Sequence, residues 1–221
     1  MNYKLLRQNR KTLTIQIRDG EMIVKAPLRK PIAEIESFIE SKSSWISKKL
    51  YEYAVKTSAL QPALDYTSVM YHGGMYPITH SDSVKKVALV GGELLVPVKY
   101  AAGDETVKAV GAWYKRVAKK ELEVLLAATA GATGLSYKSF ATTNARGKWG
   151  SCDGECNIRL NWRLVMLNDA LAKYVVVHEL AHTLHHDHSK AFWDAVGAMY
   201  PDYKNAKKLL KANSVLTSLY R

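Results

Sequence analysis

The sequence is short of cysteine. Cys152 and Cys156, four apart in CDGEC, are its only two, which excludes the fuller disulfide framework that a secreted domain of this size usually carries. A reduced thiol pair in a cytoplasmic setting is expected instead. Two thiols do not close a four-ligand zinc site without partners from elsewhere. Long apolar runs are also missing. The uncharged, mostly apolar stretch VLLAATAGATGLSY at 124–137 is too short to span a bilayer, and Gly131 and Gly134 interrupt it as they would the end of a buried helix. The opening MNYKLLRQNRK has basic residues with no apolar run behind them, so no secretory signal peptide is expected. Internal repeats and low-complexity segments are absent as well.

What is present suits a soluble globular chain, 48% hydrophobic and 24% charged. Its 221 residues suffice for one substantial core, or for a catalytic domain with a smaller companion. Lys and Arg outnumber Asp and Glu by 32 to 20, a formal charge of +12. The surplus sits at the ends. Residues 1–60 carry 12 basic and 6 acidic side chains, residues 201–221 carry 5 and 1, and the long middle carries 15 and 13. Such a field draws acidic partners, among them nucleic acid, nucleotides and acidic peptides, through on-rate and weak affinity. For any single lysine a solvated surface is the plainer reading.

Residues 12–26, TLTIQIRDGEMIVKA, alternate apolar and polar on both sides of Asp19-Gly20, a hairpin signal. The period then changes, and apolar residues recur at three- and four-residue steps from about 31 to 56, predicting one or two amphipathic helices. Strand and turn signals return over 66–98. Asp104 and Glu105 open a helix whose stripe of Val107, Val110, Trp113, Tyr114, Val117, Leu122 and Leu125 runs to about 130. SYKSFATT and CNIRLNWRLVML read as strands joined through KWGSCDGE. Asn168 can cap the helix DALAKYVVVHELAHTLHH. SKAFWDAVGAMY is a further helical portion, and KNAKKLLKANSVL a short basic helix or tail. The expected organisation is α+β, with an N-terminal hairpin, helix and strand region over 1–100 and a second domain over 101–221.

Five of the seven histidines lie between His178 and His188. His178-Glu179-Leu180-Ala181-His182 fits H-E-x-x-H, and on a helix positions i and i+4 share a face, so two imidazoles can reach one Zn²⁺. Glu179, beside the first of them, can take a proton from a water activated there. A catalytic zinc needs a third protein ligand. On an unbroken helix His185 would sit about 10.5 Å along the axis from His178, too far to share its ion, and His186 would point away. His188, about 15 Å along, can bind only if the chain leaves the helix after roughly His185 and folds back. Asp187 and Ser189 favour such a break. The expected ligands are therefore His178, His182 and His188, with His185 and His186 as polar residues at a helix C-terminus.

KWGSC (148–152), NIRLNWRLVML (157–167), YVVVHELAHTLHHDHSKAFW (174–193) and PDYK (201–204) resemble the YgjP-like metallopeptidase family, a relative of the SprT-like zinc proteins. The N-terminal hairpin followed by a helix containing Trp45 resembles it too, so the likeness covers most of the chain. The resemblance implies a zincin-like catalytic domain over 101–221, with a backing helix, a small mixed sheet and a helix carrying H-E-x-x-H, and with His188 as third ligand. Two residues depart from the family pattern. Lys148 stands where the family usually has Arg before W-G-S-C, and a Lys does not reproduce a bidentate Arg contact. Cys156 stands where a turn glycine is common. The metzincin pattern is not met, because His185 occupies its glycine position.

In zincins the substrate usually lies as an extra strand on the sheet edge above the metal, which for this chain is expected to be the strand around Ile158 to Trp162. Tyr203, Arg146 and Lys148 are the candidate transition-state donors. Trp149, Trp162 and Trp193 are expected in core packing, with Trp193 and Phe192 anchoring the returning chain. His72 and His80 fall in the turn-rich region without an evident partner. The leading function is a zinc-dependent peptidase acting on a peptide or protein. The alternatives are a metal-dependent nucleoside triphosphate pyrophosphatase, for which no Gly-rich phosphate loop is present, and a DNA-associated SprT-like protein with weak protease activity.

Overall fold

A computed structural model describes residues 2–18, 20–102 and 104–220. The chain divides into two compact units, the first ending at Gln61 and the second beginning at Pro62.

In the first unit β1 (Lys4–Gln8), β2 (Thr14–Arg18) and β3 (Glu21–Pro27) form a sheet in the order β1-β3-β2. The hairpin expected over 12–26 is the antiparallel β2–β3 pair, in register from Thr14↔Lys25 to Arg18↔Glu21; Asp19 lies outside the described residues. Alternation places Met22, Val24 and Ala26 on one face of β3. There they bury against Ile35 and Ile39 of α1 (Ile32–Ser41) and Ile46 of α2 (Ser43–Thr57). The single periodic stretch of 31–56 is two helices because Lys42, at φ −111° and ψ 8°, breaks the α geometry between them. A short α3 (Gln61–Leu64) follows.

The second unit holds a four-stranded sheet in the order β4-β5-β7-β6, from β4 (Ser68–Tyr71), β5 (Gly74–Ser81), β6 (Ala88–Val90) and β7 (Glu93–Pro97). The sequence reading grouped these strands with the N-terminal region. They fall instead in the unit that carries the histidines, and the bonds that tie them there are visible. The amides of His72 and Gly73 donate to the Val165 and Met166 carbonyls (2.8 and 3.2 Å), and the buried Tyr114 hydroxyl donates to the Met70 carbonyl at 2.6 Å.

The long α4 (Glu105–Thr133) buries Val110, Tyr114, Ala118, Leu122, Leu126 and Ala130, one residue every four, which is the stripe of a helix lying on a core. Val107, Val117 and Leu125, which belong to the predicted stripe, sit at its half-buried margin. Beyond α4, β8 (Ser139–Thr143), β9 (Gly150–Cys152) and β10 (Asn157–Asn161) form a mixed sheet in the order β8-β10-β9. β10 runs parallel to β8 and antiparallel to β9. Two expectations are corrected here. The strand around Ile158 to Trp162 is the central one, with both edges already paired, so it has no edge to offer a substrate; β9 does. The strand also stops at Asn161. Its side chain accepts from the Arg163 amide (3.1 Å), and residues Trp162–Met166 coil into a buried 3₁₀ turn that an apolar sequence alone does not distinguish from a strand.

The remaining helices are α5 (Asp169–Ala181), α6 (Lys190–Met199) and α7 (Tyr203–Ala212). Asn168 caps α5 as expected, accepting from the Leu171 amide at 2.9 Å. The architecture is mixed α+β. No helix among the described residues is long and apolar enough to cross a membrane.

Candidate metal centre

Helix α5 delivers the first two imidazoles. His178 and His182 lie one turn apart on one face, with ring centroids 5.1 Å apart. The helix then stops at once. The amides of Thr183 and Leu184 bond three residues back, to Leu180 and Ala181, which is the tightened last turn of a helix end. Asp187 accepts from the Ser189 amide (3.2 Å), and the Ser189 hydroxyl from the Phe192 amide (3.4 Å), so the chain reverses and α6 begins. The break comes a turn earlier than the position near His185 expected from sequence. The reversal returns His188 to the pair, its Nε2 3.2 Å from His178 Nε2 and its ring 4.8 Å from that of His182.

One nitrogen from each of His178, His182 and His188 lies within 4.8 Å of the other two. The buried Phe192 fills the space behind them, its ring 4.5 Å from His182, 4.8 Å from His188 and 5.0 Å from His178. His182 Nδ1 donates to the His185 carbonyl at 3.0 Å, which leaves the Nε2 lone pair free. The backbone of His185 thus supports the cluster while its side chain and that of the exposed His186 stay out of it. Burial, then the neighbouring His182 and His188, pushes the His178 imidazole down to about 3, and burial lowers that of His182. Both are held neutral, the form in which imidazole binds a cation. Two ring nitrogens that face each other at 3.2 Å are matched by a shared positive ion, and the donor set fits a divalent one.

Glu179 is buried beside this group. Burial pushes its carboxyl up to about 8 against the opposing charge of Lys148. Its position depends on Gly150 in β9. A methyl group on that glycine would lie 2.6 Å from Glu179 Oε1 and 2.7 Å from its Cγ, so any side chain there displaces the carboxylate. A cavity of about 520 Å³ opens beside His178, Glu179 and His188, walled by Lys148, Trp149 and Gly150 on one stretch of chain, Tyr174 on α5, Trp193 on α6, and Lys207 and Leu210 on α7.

Of the three candidate donors, Lys148 lines the cavity while Arg146 and Tyr203 do not. Tyr203 stacks on Trp193 at 5.4 Å, and Trp193 stacks in turn on His188 at 5.7 Å. Trp162 is core, packed against the guanidinium of Arg163 at 3.9 Å. Cys152 and Cys156 are free thiols. His72 and His80 have partners that sequence did not supply: His72 lies between Asp169 and Glu121, and His80 meets the Thr106 hydroxyl at 2.9 Å.

Sequence reasoning missed Gly150, Tyr174 and Lys207. Tyr174 was findable, since it stands one turn before His178 on the same helix face. Gly150 carried a weaker signal, a glycine inside a strand where another group approaches closely.

The family model for the YgjP-like, metallopeptidase domain matches residues 11–213. The chain belongs to the YgjP-like metallopeptidase family, and as a metallopeptidase it is a metal-dependent hydrolase whose substrate class is peptide or protein. A search of curated proteins finds no match. Among solved structures, the metallopeptidase zymogen abylysin of Pyrococcus abyssi is 21% identical over 41% of this chain and 92% of that one, with a TM-score of 0.37, too low to establish a shared fold.

Proposed function

We propose that the protein is a zinc-dependent peptidase of zincin-like architecture, with His178, His182 and His188 as zinc ligands and Glu179 as general base. The observation that carries this reading is the convergence of three imidazoles beside a buried carboxylate that is not one of them. Tetrahedral zinc with bonds of about 2.0–2.1 Å keeps its ligand nitrogens about 3.3 Å apart, and His178 Nε2 and His188 Nε2 stand 3.2 Å apart. α4 is the candidate backing helix and α5 the active-site helix.

When bound, the ion supplies a water of pKa near 7 and polarises the scissile carbonyl. Glu179 would take the proton of a water held there and pass it to the leaving amine; burial raises the proton affinity of its carboxylate, and the charge of a bound ion would favour the deprotonated form that a base needs. Gly150 holds it in place by leaving room for it. β9 positions the substrate. The Trp149 carbonyl and the Asp153 amide both bond to β10, so by strand alternation the amides and carbonyls of Gly150 and Cys152 face the open edge, where an extended peptide can pair with them. Lys148 is the donor best placed for the developing oxyanion. The pyrophosphatase and DNA-associated readings have no comparable support.

Metal analysis of the purified protein beside peptide hydrolysis tests this. The wild type is expected to hold one zinc and cleave; Glu179→Gln is expected to keep the zinc and lose about 10²- to 10⁴-fold in kcat. Hydrolysis that survives Glu179→Gln would refute the assignment of the base.

A further inference from the structure

One wall of the cavity is α7, whose ten residues include Lys204, Lys207, Lys208 and Lys211 and no acid. Lys207 and Leu210, three apart and so on one face, both line the cavity. The Lys207 ammonium lies 4.3 Å from the centre of the Trp193 ring, and that ring is the one stacked on His188. The cation is thereby held one aromatic ring away from the imidazole cluster. Among the described residues Lys207 forms no ion pair. Glu179 is the one acid on the cavity wall, and Lys148 beside Gly150 offsets it. The charge of Lys207 is left unanswered.

Lys207 is exposed, but its ammonium sits over the Trp193 indole at the cavity wall, so an anion that reaches it there meets the charge together with the apolar lining of Trp193 and Leu210. One unanswered cation in an aromatic and apolar wall matches one compact anion. A polyphosphate calls for several converging cations or a nest of backbone amides; of the α7 lysines only Lys207 lines the cavity, and Lys148 is already opposed by Glu179. The anion of that size that a peptide carries is a carboxylate.

We propose that Lys207 selects peptide substrates with a carboxylate close to the scissile bond, either an acidic side chain or the peptide's own C-terminus. The inference rests on the peptidase reading above and adds the substrate class. Leu210 and Trp193 contact the aliphatic part of the residue that carries the carboxylate, and Lys207 pairs with its charge.

Binding decides this independently of turnover. Zinc-loaded, full-length Glu179→Gln protein is titrated with three fluorescently labelled peptides of equal length: one with a glutamate and an amidated C-terminus, one with glutamine in its place and amidated, and the glutamine peptide with a free C-terminus. One or both carboxylate peptides are expected to bind about 10-fold more tightly than the uncharged one, more so at low salt. Which of them does identifies the source of the carboxylate. Adding Lys207→Met is expected to shrink the difference below about twofold, and Lys207→Arg to keep most of it; zinc content of each variant reports an intact site. Equal binding of all three peptides, no binding of any, or a preference that survives Lys207→Met would overturn the proposal. Cleavage that depends on Glu179 with no preference for carboxylates would sink this inference alone. A carboxylate preference without any cleavage by the wild type would instead sink the peptidase reading and leave the anion subsite standing.

Discussion

The second unit uses histidine in two opposite ways, at the two ends of one helix. At the start of α5, Asp169 meets His72 Nδ1 while Glu121 faces Nε2 at 3.2 Å and also accepts from the Tyr71 hydroxyl. Burial works against the charged form of His72, but the hydrogen bond to Asp169 and the charges of Asp169 and Glu121 outweigh it, and the imidazole is raised above its usual range. At the other end His178 and His182 have no carboxylate bonded to their rings, face other imidazoles, and are pushed down. The same ring is pushed toward its charged form in one setting and toward its neutral form, the one suited to binding a cation, in the other. Helix direction favours this arrangement, since an acid is stabilised at the N-terminus of α5, while the helix end at His182 is where the chain can turn to bring in a third ring.

Exchanging the two settings gives the largest effect. His188→Ala is expected to weaken zinc retention by at least about 100-fold, more than loss of a supporting group costs, whereas His72→Asn, which suits the φ of 48° at that position, should leave it unchanged. Equilibrium dialysis against a zinc buffer measures both, and full metal content in the His188 variant would show that the third ligand lies elsewhere. Gly150→Ala should keep the metal but displace Glu179, and a shift of about 1 Å in a catalytic group costs on the order of 100-fold in kcat. Near wild-type turnover there would detach Glu179 from the chemistry.

Chelation comes next. At 100-fold excess over Kd a ligand stabilises its protein by about 2.7 kcal/mol, so stripping zinc should lower the melting temperature of the second unit by about 5–10 °C and leave the N-terminal unit's transition in place. The His72 end responds least, and to pH. Because its folded pKa is raised, its contribution is fully present below the unfolded value of about 6.5 and fades as pH climbs through the folded one. The ring is partly exposed, so the effect is on the order of 0.5 kcal/mol after screening. Wild type and His72→Asn should therefore differ most in thermal melts below pH about 6 and converge in alkali.

The histidine cluster was legible because its geometry is local: two rings one helical turn apart, and a third whose only route back is a chain reversal that Asp187 and Ser189 announce. The helices and the N-terminal hairpin were legible for the same reason, through period and caps. What escaped the sequence depends on pairs far apart in the chain. The bonds from His72 and Gly73 to Val165 and Met166 move the division of the chain from residue 100 to Gln61. Whether β9 or β10 is the edge strand follows from the return of β8 as a parallel neighbour, which no alternation pattern encodes. Gly150 stood without a role in the joining segment KWGSCDGE, because the group that needs its missing side chain, Glu179, comes from a different element.

Arg163 carries a consequence for biosynthesis. Its buried guanidinium donates to the Leu219 carbonyl at 2.7 Å and to the Asn144 side chain at 2.7 Å, with Trp162 stacked on it. A polar group left buried without its partner costs about 1–3 kcal/mol, and more when charged. During synthesis this guanidinium therefore waits for its Leu219 acceptor, so the packing around it in the second unit is completed only once residue 219 has emerged.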